Sequence, residues 1–272
     1  MHRSGRFIPI QKRIFLLAVF VCIGNIVWAA NAQAGPWGRE AGRGLIISGI
    51  EYYRAELDGS APSRFQQIAS SFYTEFGLAN DLTLAANFYY VDQFSDAAPD
   101  PFSANGFATI EIRGQKLVWR ASDSVLSLHG GYSAATKIQR TSLSANSVIK
   151  RDAALLMGAE WGRNIGEKGE GFFSLETQLR PSLGQDAHTA RVNASYGYAF
   201  TPRNTLVLKS LNDFAISDPE TGGLSYDVFR LEAALLYRLT PRYQLSLGAG
   251  REIGGRNITP GSALQFQLWS EF

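Results

Sequence analysis

One long hairpin, residues 72–90, most restricts what this chain can fold into. The sequence there reads FYTEFGLANDLTLAANFYY, and apolar positions recur at every second residue on both sides of a break at Asn80-Asp81. A period of two on either side of a tight turn is typical of a β-hairpin. Each arm is about ten residues long, whereas strands of soluble proteins average ~5–6 residues. Arms of ~9–11 residues have the length that a tilted strand needs to cross the apolar core of a bilayer.

The first 34 residues have the pattern of a secretory signal peptide. Four basic residues and no acidic residue precede an apolar run at 14–28, and Ala30-Asn31-Ala32-Gln33-Ala34 follows. The apolar run is shorter than the ~20 residues of a spanning helix, which disfavours a retained membrane anchor. We therefore predict a cleaved signal peptide at residues 1–34. Cleavage after Ala34 is preferred, and cleavage after Ala32 is the alternative.

Composition excludes several classes for the remaining residues, 35–272. The single cysteine, Cys22, lies in the predicted signal peptide, so the mature chain has neither disulfides nor thiolate chemistry. Four of the 26 Lys and Arg residues also lie there, which leaves 22 basic against 24 acidic residues. This balance gives no basic excess for a nucleic-acid partner. Mean hydropathy is −0.09, and no apolar stretch beyond residue 34 approaches the length of a membrane-spanning helix.

The rest of the chain repeats the alternation of the hairpin. Twelve strands are predicted, at 44–54, 64–79, 82–91, 107–120, 125–132, 152–162, 171–180, 188–200, 205–214, 226–239, 243–251 and 262–272. Five short links alternate with six longer connections that are rich in Gly, Pro, Ser and Asp, as in bacterial outer-membrane barrels. The predicted fold is therefore all-β: a transmembrane antiparallel up-and-down β-barrel of about twelve strands over residues 35–272. Both termini are expected on the periplasmic side of the bacterial outer membrane.

Two features of the predicted strands leave detail open. The apolar phase changes within residues 107–120, so we expect either a β-bulge near Gly114 or two shorter strands. Aromatic residues gather near the strand ends, and we expect them to form the two interfacial belts of such barrels. Tyr53, Tyr89, Phe172 and Trp269 are among them.

The last ten residues, ALQFQLWSEF, are similar to the C-terminal β-signal of outer-membrane proteins. Leu264, Phe266, Leu268 and the terminal Phe272 carry the resemblance, and Ser270 departs from it because an aromatic or apolar residue is usual there. The resemblance implies recognition of this strand by the barrel-assembly machinery.

Two further stretches, GPWGREAGRGLIISGIEYYRAE and TEFGLANDLTLAANFYY, resemble a group of loosely annotated small proteobacterial barrels. The resemblance implies a role in outer-membrane transport or, as in XagA-like proteins, at exopolysaccharide and biofilm surfaces.

The sequence offers no candidate residues for catalysis, cofactor binding or metal binding. Beyond residue 34 the histidines are His129, assigned to the lumen, and His188, at a strand end. Ser127 shares a face with His129, but alternate strand residues lie ~6.6 Å apart, too far for a nucleophile–base hydrogen bond. The His-x-Ser-Asn-Gly run of outer-membrane phospholipases, which also have about twelve strands, is absent. A hydrolase is therefore the least favoured function, and we expect no enzyme activity.

Alternation also assigns charged residues to the lumen. The candidate lumen-lining residues are Glu75, Glu111, Arg113, Glu160, Glu176, Arg180, Arg191, Lys209, Asp213, Arg230, Glu232 and Arg238. Both signs occur in similar number, so no ladder of one charge selects anions or cations. Eight strands enclose a filled interior and 16–18 an open channel, and twelve falls between them.

We therefore expect a narrow passive channel for small polar solutes. The alternative is a lumen closed by Arg–Glu pairs, in a non-conducting structural or surface barrel associated with exopolysaccharide or biofilm. The expected surroundings are outer-membrane lipid and lipopolysaccharide, and no nucleic acid is expected as a partner.

Overall fold

The computed structural model describes residues 35–57, 63–96, 100–142, 146–166, 170–220 and 225–272. The predicted signal peptide lies outside the described residues. Among the residues that are described, no helix has the length and apolar character of a membrane span.

The described residues contain fourteen strands in one antiparallel sheet. They are β1 (Gly44–Leu57), β2 (Ser63–Ala79), β3 (Leu82–Ser95), β4 (Phe102–Arg120), β5 (Ser124–Ser133), β6 (Thr136–Ser142), β7 (Asn146–Arg151), β8 (Ala154–Ile165), β9 (Gly171–Arg180), β10 (Thr189–Ala199), β11 (Asn204–Ala215), β12 (Asp227–Arg238), β13 (Tyr243–Arg256) and β14 (Gly261–Glu271). Twelve of them close into a barrel, because β1 pairs with β2 and β14, and β3 pairs with β2 and β4. The predicted closed antiparallel barrel of about twelve strands is confirmed.

The strand prediction missed a hairpin within residues 133–151. Its strands, β6 and β7, pair with each other, and β6 also pairs with the first residues of β4. β6 thereby takes the place of β5 beside β4 at the long-loop end of the barrel. Ile138 of β6 packs there on Ala69, Val91 and Ala104, so the hairpin extends the wall and adds an apolar contact to the interior.

The phase change in β4 lies at Val118, and the expectation of a bulge near Gly114 was wrong. β4 is also one continuous strand, so the alternative of two shorter strands was wrong. Its register with β5 shifts between Leu117 and Trp119, which leaves Val118 as the extra residue. A second extra residue, Ala108, shifts the register with β3. Because a bulge moves the alternation by one residue, Val118 and Trp119 both face outwards while Leu117 is buried.

The two faces of the wall are inverted relative to a soluble barrel. Large apolar side chains such as Leu235, Leu247 and Phe266 point outwards and are exposed. Inward positions carry polar groups, and Glu75 and Ser127 are 1% and 0% exposed. An apolar exterior around a polar interior is the arrangement of barrels that lie in lipid.

The barrel closes where the first strand meets the end of the chain. Gly44 and Phe272 exchange two backbone hydrogen bonds, of 2.8 Å and 3.0 Å, next to the β1–β14 ladder. The Phe272 ring lies over Gly44, in space that a Cβ at that position would occupy, and stacks on Phe76 at 6.4 Å between ring centroids. Both ends of the barrel sequence therefore lie at the end that carries the short turns.

Removing Phe272 should weaken this closure in two steps. Phe272→Ala removes ring contacts, and an aromatic pair contributes about 0.5–1.5 kcal/mol beyond its burial. Deletion of Phe272 should destabilise the barrel further, because the hydrogen bonds with Gly44 are then lost as well. Urea unfolding and the mobility shift on heating in detergent measure the effect. Leu183→Ala, in the connection after β9, is the control. Wild-type assembly of the shortened chain would contradict the closure described above.

An arginine on the outer face tests which surface contacts lipid. Leu235→Arg should destabilise the barrel by ~2–4 kcal/mol if the residue lies near the bilayer midplane. Leu183→Arg, at an exposed position between β9 and β10, should cost far less. Equal effects of the two changes on folding into lipid vesicles would show that Leu235 does not face the hydrocarbon.

Candidate functional site in the barrel lumen

Residues 35–43, here called the docked segment, lead into the lumen at the short-turn end of the barrel; within them Glu40, Ala41 and Gly42 are exposed. The carbonyl oxygen of Gly35 accepts a hydrogen bond of 3.0 Å from Gln115 Nε2 of β4. The carbonyl oxygen of Pro36 accepts one of 2.6 Å from Ser127 Oγ of β5. Pro36 is fully buried. Inward residues of the wall thus hold the segment by its backbone, and sequence analysis did not predict this.

Arg39 fixes the middle of the docked segment. Its Nε donates to Glu75 Oε2 at 2.6 Å, and its backbone N–H donates to Thr83 Oγ1 at 2.7 Å. The side chains of Arg39 and Glu75 are 9% and 1% exposed. Tyr73 adds a hydrogen bond of 2.6 Å to the same carboxylate. A charge-assisted bond in a site with little water is stronger than its counterpart at the surface, so Arg39 is a principal anchor of the segment.

Two glycines of the wall make room for the docked segment. A Cβ at Gly162 of β8 would overlap Pro36 and press on the Trp37 ring. A Cβ at Gly77 of β2 would overlap the backbone at Glu40. Gly77 also exchanges backbone hydrogen bonds of 2.9 Å with the segment, donating to the Arg43 carbonyl and accepting from the Gly42 N–H. The packing of the docked segment against the wall therefore depends on these glycines, which have no side chain, as well as on ion pairs.

A second group of charged residues lies next to the docked segment and is centred on Arg113. Its guanidinium contacts Glu160 at 3.1 Å and Glu176 at 2.9 Å. Asn193 Nδ2 donates to the other oxygen of Glu176 at 2.9 Å. Arg113 lies on β4 and Glu176 on β9, so the pair spans the two strands between them and must lie inside the barrel.

His129 completes this group, which we call the Arg113 cluster: Arg113, His129, Glu160 and Glu176. Its ring offers one nitrogen to Gln178 at 3.2 Å, and the other lies 3.6 Å from Glu160 Oε1. Three potential metal ligands, on His129, Glu160 and Glu176, lie within 4.8 Å of one another. They lie on three different strands, so their spacing in the sequence could not predict that they meet. Because the Arg113 guanidinium occupies the space between the carboxylates, we interpret the cluster as an ion-pair network.

A third network lines the opposite wall. Arg230 of β12 contacts Glu51 of β1, and its guanidinium lies 2.8 Å from Glu232. Tyr53 donates to Glu252 at 2.6 Å, and Tyr89 donates to Glu51 at 3.0 Å. Both tyrosines therefore face the lumen and not the interfacial belt that the sequence predicted.

Eleven of the twelve charged residues that parity assigned to the lumen form ion pairs. Besides the pairs above, Arg180 contacts Glu111 at 2.5 Å, Arg191 contacts Asp213 at 2.8 Å, and Lys209 lies 3.9 Å from Glu232. Arg238 borders the cavity described below. The side chains differ in access to water: Glu160 is 4% exposed, whereas Arg191 and Asp213 are 25% and 36% exposed.

A cavity of about 580 Å³ remains in the lumen beside the docked segment. Trp37, Phe172 and Trp269 line it together with the amides of Gln244 and Gln267. Trp37 packs edge-on against Phe172 at 5.9 Å, and Trp269 Nε1 donates to Gln267 Oε1 at 3.1 Å. Phe172 and Trp269 therefore face inwards, contrary to the belt prediction, because parity places them on the lumen side.

The lumen contains no nucleophile–base pair among the residues that sequence analysis weighed. Ser127 Oγ donates to the docked segment, and the His129 ring faces Gln178 and Glu160. His188 lies apart from the lumen, where its Nδ1 accepts a hydrogen bond from the Ser182 N–H in the connection after β9.

No protein family model and no curated protein matches this chain. Solved structures do match it. An outer membrane channel from Pseudomonas putida F1 aligns with a TM-score of 0.66 and 11% identity, over 89% of this chain and 100% of the other. The translocator domain of autotransporter NalP from Neisseria meningitidis gives 0.54 and 9%, over 96% and 95%. The NanC porin gives 0.51 and 8%, over 82% and 98%. At these identities the likeness establishes the fold, that of bacterial outer-membrane β-barrels.

Alanine at Gly162 should loosen the docked segment without opening the wall. The added methyl group overlaps Pro36, so Gly162→Ala should raise hydrogen exchange and protease cleavage within residues 35–43. Gly130→Ala is the control, because its nearest neighbouring atom would be 3.7 Å away. Unchanged protection of the segment in Gly162→Ala, at wild-type barrel stability, would contradict the packing described here.

Proposed function

We propose that this protein is a non-enzymatic outer-membrane β-barrel that acts as a narrow passive channel for small polar solutes. In this proposal the signal peptide at residues 1–34 is removed, the barrel-assembly machinery reads the last strand, and outer-membrane lipid and lipopolysaccharide surround the wall. The fold supports the location, because an apolar exterior requires lipid. Of the neighbours with the same fold, the Pseudomonas putida protein is itself described as an outer membrane channel.

The observation that carries the proposal is the position of the lumen charges. Arg191 pairs with the adjacent strand β11, whereas Arg113 and Arg230 reach β9 and β1, each across two intervening strands of the wall. Several remain accessible to water, Asp213 and Lys209 among them, at 36% and 27% exposure. A lumen packed shut by ion pairs would bury these groups. The cavity of about 580 Å³ beside the docked segment supports the same conclusion.

Mixed charge and mixed polarity favour small polar solutes over ions of one sign. Both cationic and anionic groups border the cavity, Arg113, Glu176 and Lys209 among them. Amides and indole rings complete the lining, and such groups bind uncharged polar molecules by hydrogen bonds and stacking. The docked segment narrows the periplasmic half of the path, so we propose a low conductance.

A second function has its own supporting observation. The docked segment fills one side of the short-turn end, and the deeply buried Arg39–Glu75 pair holds it there. A barrel permanently narrowed in this way suits a structural role at the cell surface, as in the exopolysaccharide- and biofilm-associated barrels that the sequence resembles.

Conductance of the refolded chain 35–272 in planar bilayers separates the two functions. We expect small single-channel steps for the native chain. A chain without residues 35–41 should give larger steps, because residues 35–37 border the lumen cavity. Glu40→Gln, a change at an exposed position of the segment, is the control. A silent native chain together with a conducting shortened chain would favour the structural barrel.

Ion selectivity tests whether permeating ions pass the Arg191–Asp213 pair. Arg191→Ala leaves Asp213 without its guanidinium on an accessible wall, so the reversal potential in a tenfold KCl gradient should move towards the potassium equilibrium potential. Arg163→Ala removes a similar pair with Asp123 at an exposed, outward position and should leave selectivity unchanged. Identical reversal potentials for both variants and the native chain would place the conducting path elsewhere.

A further inference from the structure

Apart from His129, which is charged only when protonated, the Arg113 cluster has one cation for two carboxylates. Arg113 contributes a single positive charge between Glu160 and Glu176. The side chain of Glu160 is 4% exposed, and its Oε1 accepts no well-formed hydrogen bond although it lies 3.1 Å from Arg113 Nη2. His129 Nδ1, at 3.6 Å from the same oxygen, is too distant to donate one.

The neighbouring arginines are engaged with other carboxylates. Arg39 pairs with Glu75, Arg180 pairs with Glu111, and Arg191 pairs with Asp213. A buried carboxylate without a full counter-charge is costly, so a further cation at Glu160 would stabilise the folded barrel.

The docked segment places Gly35 beside Glu160. A methyl group built on the Cα of Gly35 would lie 3.9 Å from Glu160 Oε2, the second oxygen of the same carboxylate. The nitrogen of Gly35 is bonded to that Cα. The Gly35 carbonyl is held on the other side by Gln115, so the residue is fixed beside Glu160.

Signal-peptide removal after Ala34 would change the charge of that nitrogen. Hydrolysis by a signal peptidase adds water across the Ala34–Gly35 bond, with hydroxyl going to the Ala34 carbonyl carbon and hydrogen to the Gly35 nitrogen. The new amine then takes up the proton that the new carboxyl group releases and becomes an ammonium group.

We propose that cleavage after Ala34 creates an ammonium group on Gly35 that pairs with Glu160 inside the barrel and anchors the docked segment there. Processing thus supplies the cation that the Arg113 cluster lacks. The proposal rests on the signal peptide and is independent of conduction. It also distinguishes the two cleavage sites, because cleavage after Ala32 would leave Gln33 and Ala34 attached and move the ammonium group away from Glu160.

Three matched chains test the pairing. Mass spectrometry of the exported protein should give Gly35 as its first residue. The refolded chain 35–272 is then compared with the same chain α-N-acetylated and with one that begins at Gln33. Both altered chains should show at least a tenfold larger unfolding equilibrium constant in urea and faster hydrogen exchange at residues 35–43. An exported protein that begins at Gln33, or three chains of equal stability, would overturn the proposal.

A mutant cycle assigns the effect to Glu160. In Glu160→Gln, acetylation should change the unfolding constant less than twofold, because the carboxylate charge is gone. Glu111→Gln removes another buried carboxylate of the lumen, paired with Arg180, and the full effect of acetylation should persist there. Equal acetylation effects in the native chain and in Glu160→Gln would overturn the pairing.

Chemical labelling of the native chain keeps the test independent of mutant folding. The α-amine of the folded barrel should react with an amine reagent at least ten times more slowly than that of the urea-unfolded chain. Equal rates would overturn the proposal. A metal is the competing cation, so Zn²⁺ is added to native, His129→Ala and His188→Ala chains. Stabilisation that needs His129 and is the same before and after acetylation would assign the cluster to a metal and overturn the ammonium pairing.

Discussion

The rest of this structure depends on the need to satisfy every backbone polar group without water. Hydrocarbon offers no hydrogen bonds, so a sheet that crosses a bilayer must close on itself. Here closure is the β1–β14 ladder, extended by the two hydrogen bonds between Gly44 and Phe272. Once the wall is closed and its outer side is apolar, polar side chains can only go inwards. Their charges must then find partners in a confined space, and the lumen networks follow from that requirement.

The alternation of the sequence was enough to predict most of the wall. A period of two marks strand and face together, and β9 has the bounds that were predicted for it. The β6–β7 hairpin was assigned to a long connection. Its two strands pair locally, but the position of β6 beside β4 depends on residues far from it in the chain. The bulge was assigned to the wrong residue because glycine was taken as its marker. The bulge residue is Val118. As an extra residue between Leu117 and Trp119, it allows Leu117 to be buried inside while Trp119 faces outwards.

Parity assigned charges to one side of the wall, but it could not predict their partners. Arg113 meets Glu176 across two intervening strands, and Arg230 meets Glu51 across two others. Whether two such residues meet depends on the circumference of the barrel and on the register of its strands, and neither can be derived from a local sequence pattern. The aromatic prediction failed at Trp269 for a related reason. Its indole was expected in a lipid interface, yet parity with Gln265 and Gln267 already placed it on the lumen side.

Sequence analysis could not predict the docked segment, because the segment fits into space where residues of the wall lack side chains. Gly162 and Gly77 resemble ordinary strand glycines in sequence, and only the folded barrel shows that Pro36 and the backbone at Glu40 occupy the space they leave. The segment contacts β2, β3, β4, β5 and β8, and through Trp37 also Phe172 of β9. The cavity beside it is lined by residues of β1 to β4 and of β8 to β14.

Charge and shape act together in holding the segment. If it left the lumen, water would enter and solvate Glu75 and Glu160, so the free energy that retains it is smaller than the attraction in the dry site. Burial of the apolar surfaces of Pro36 and Trp37 also stabilises the docked position, and entry of water would not compensate for losing it. The segment is therefore a fixed part of the lumen wall, and the remaining passage is bordered by residues 35–37 together with side chains of β1 to β4 and β8 to β14.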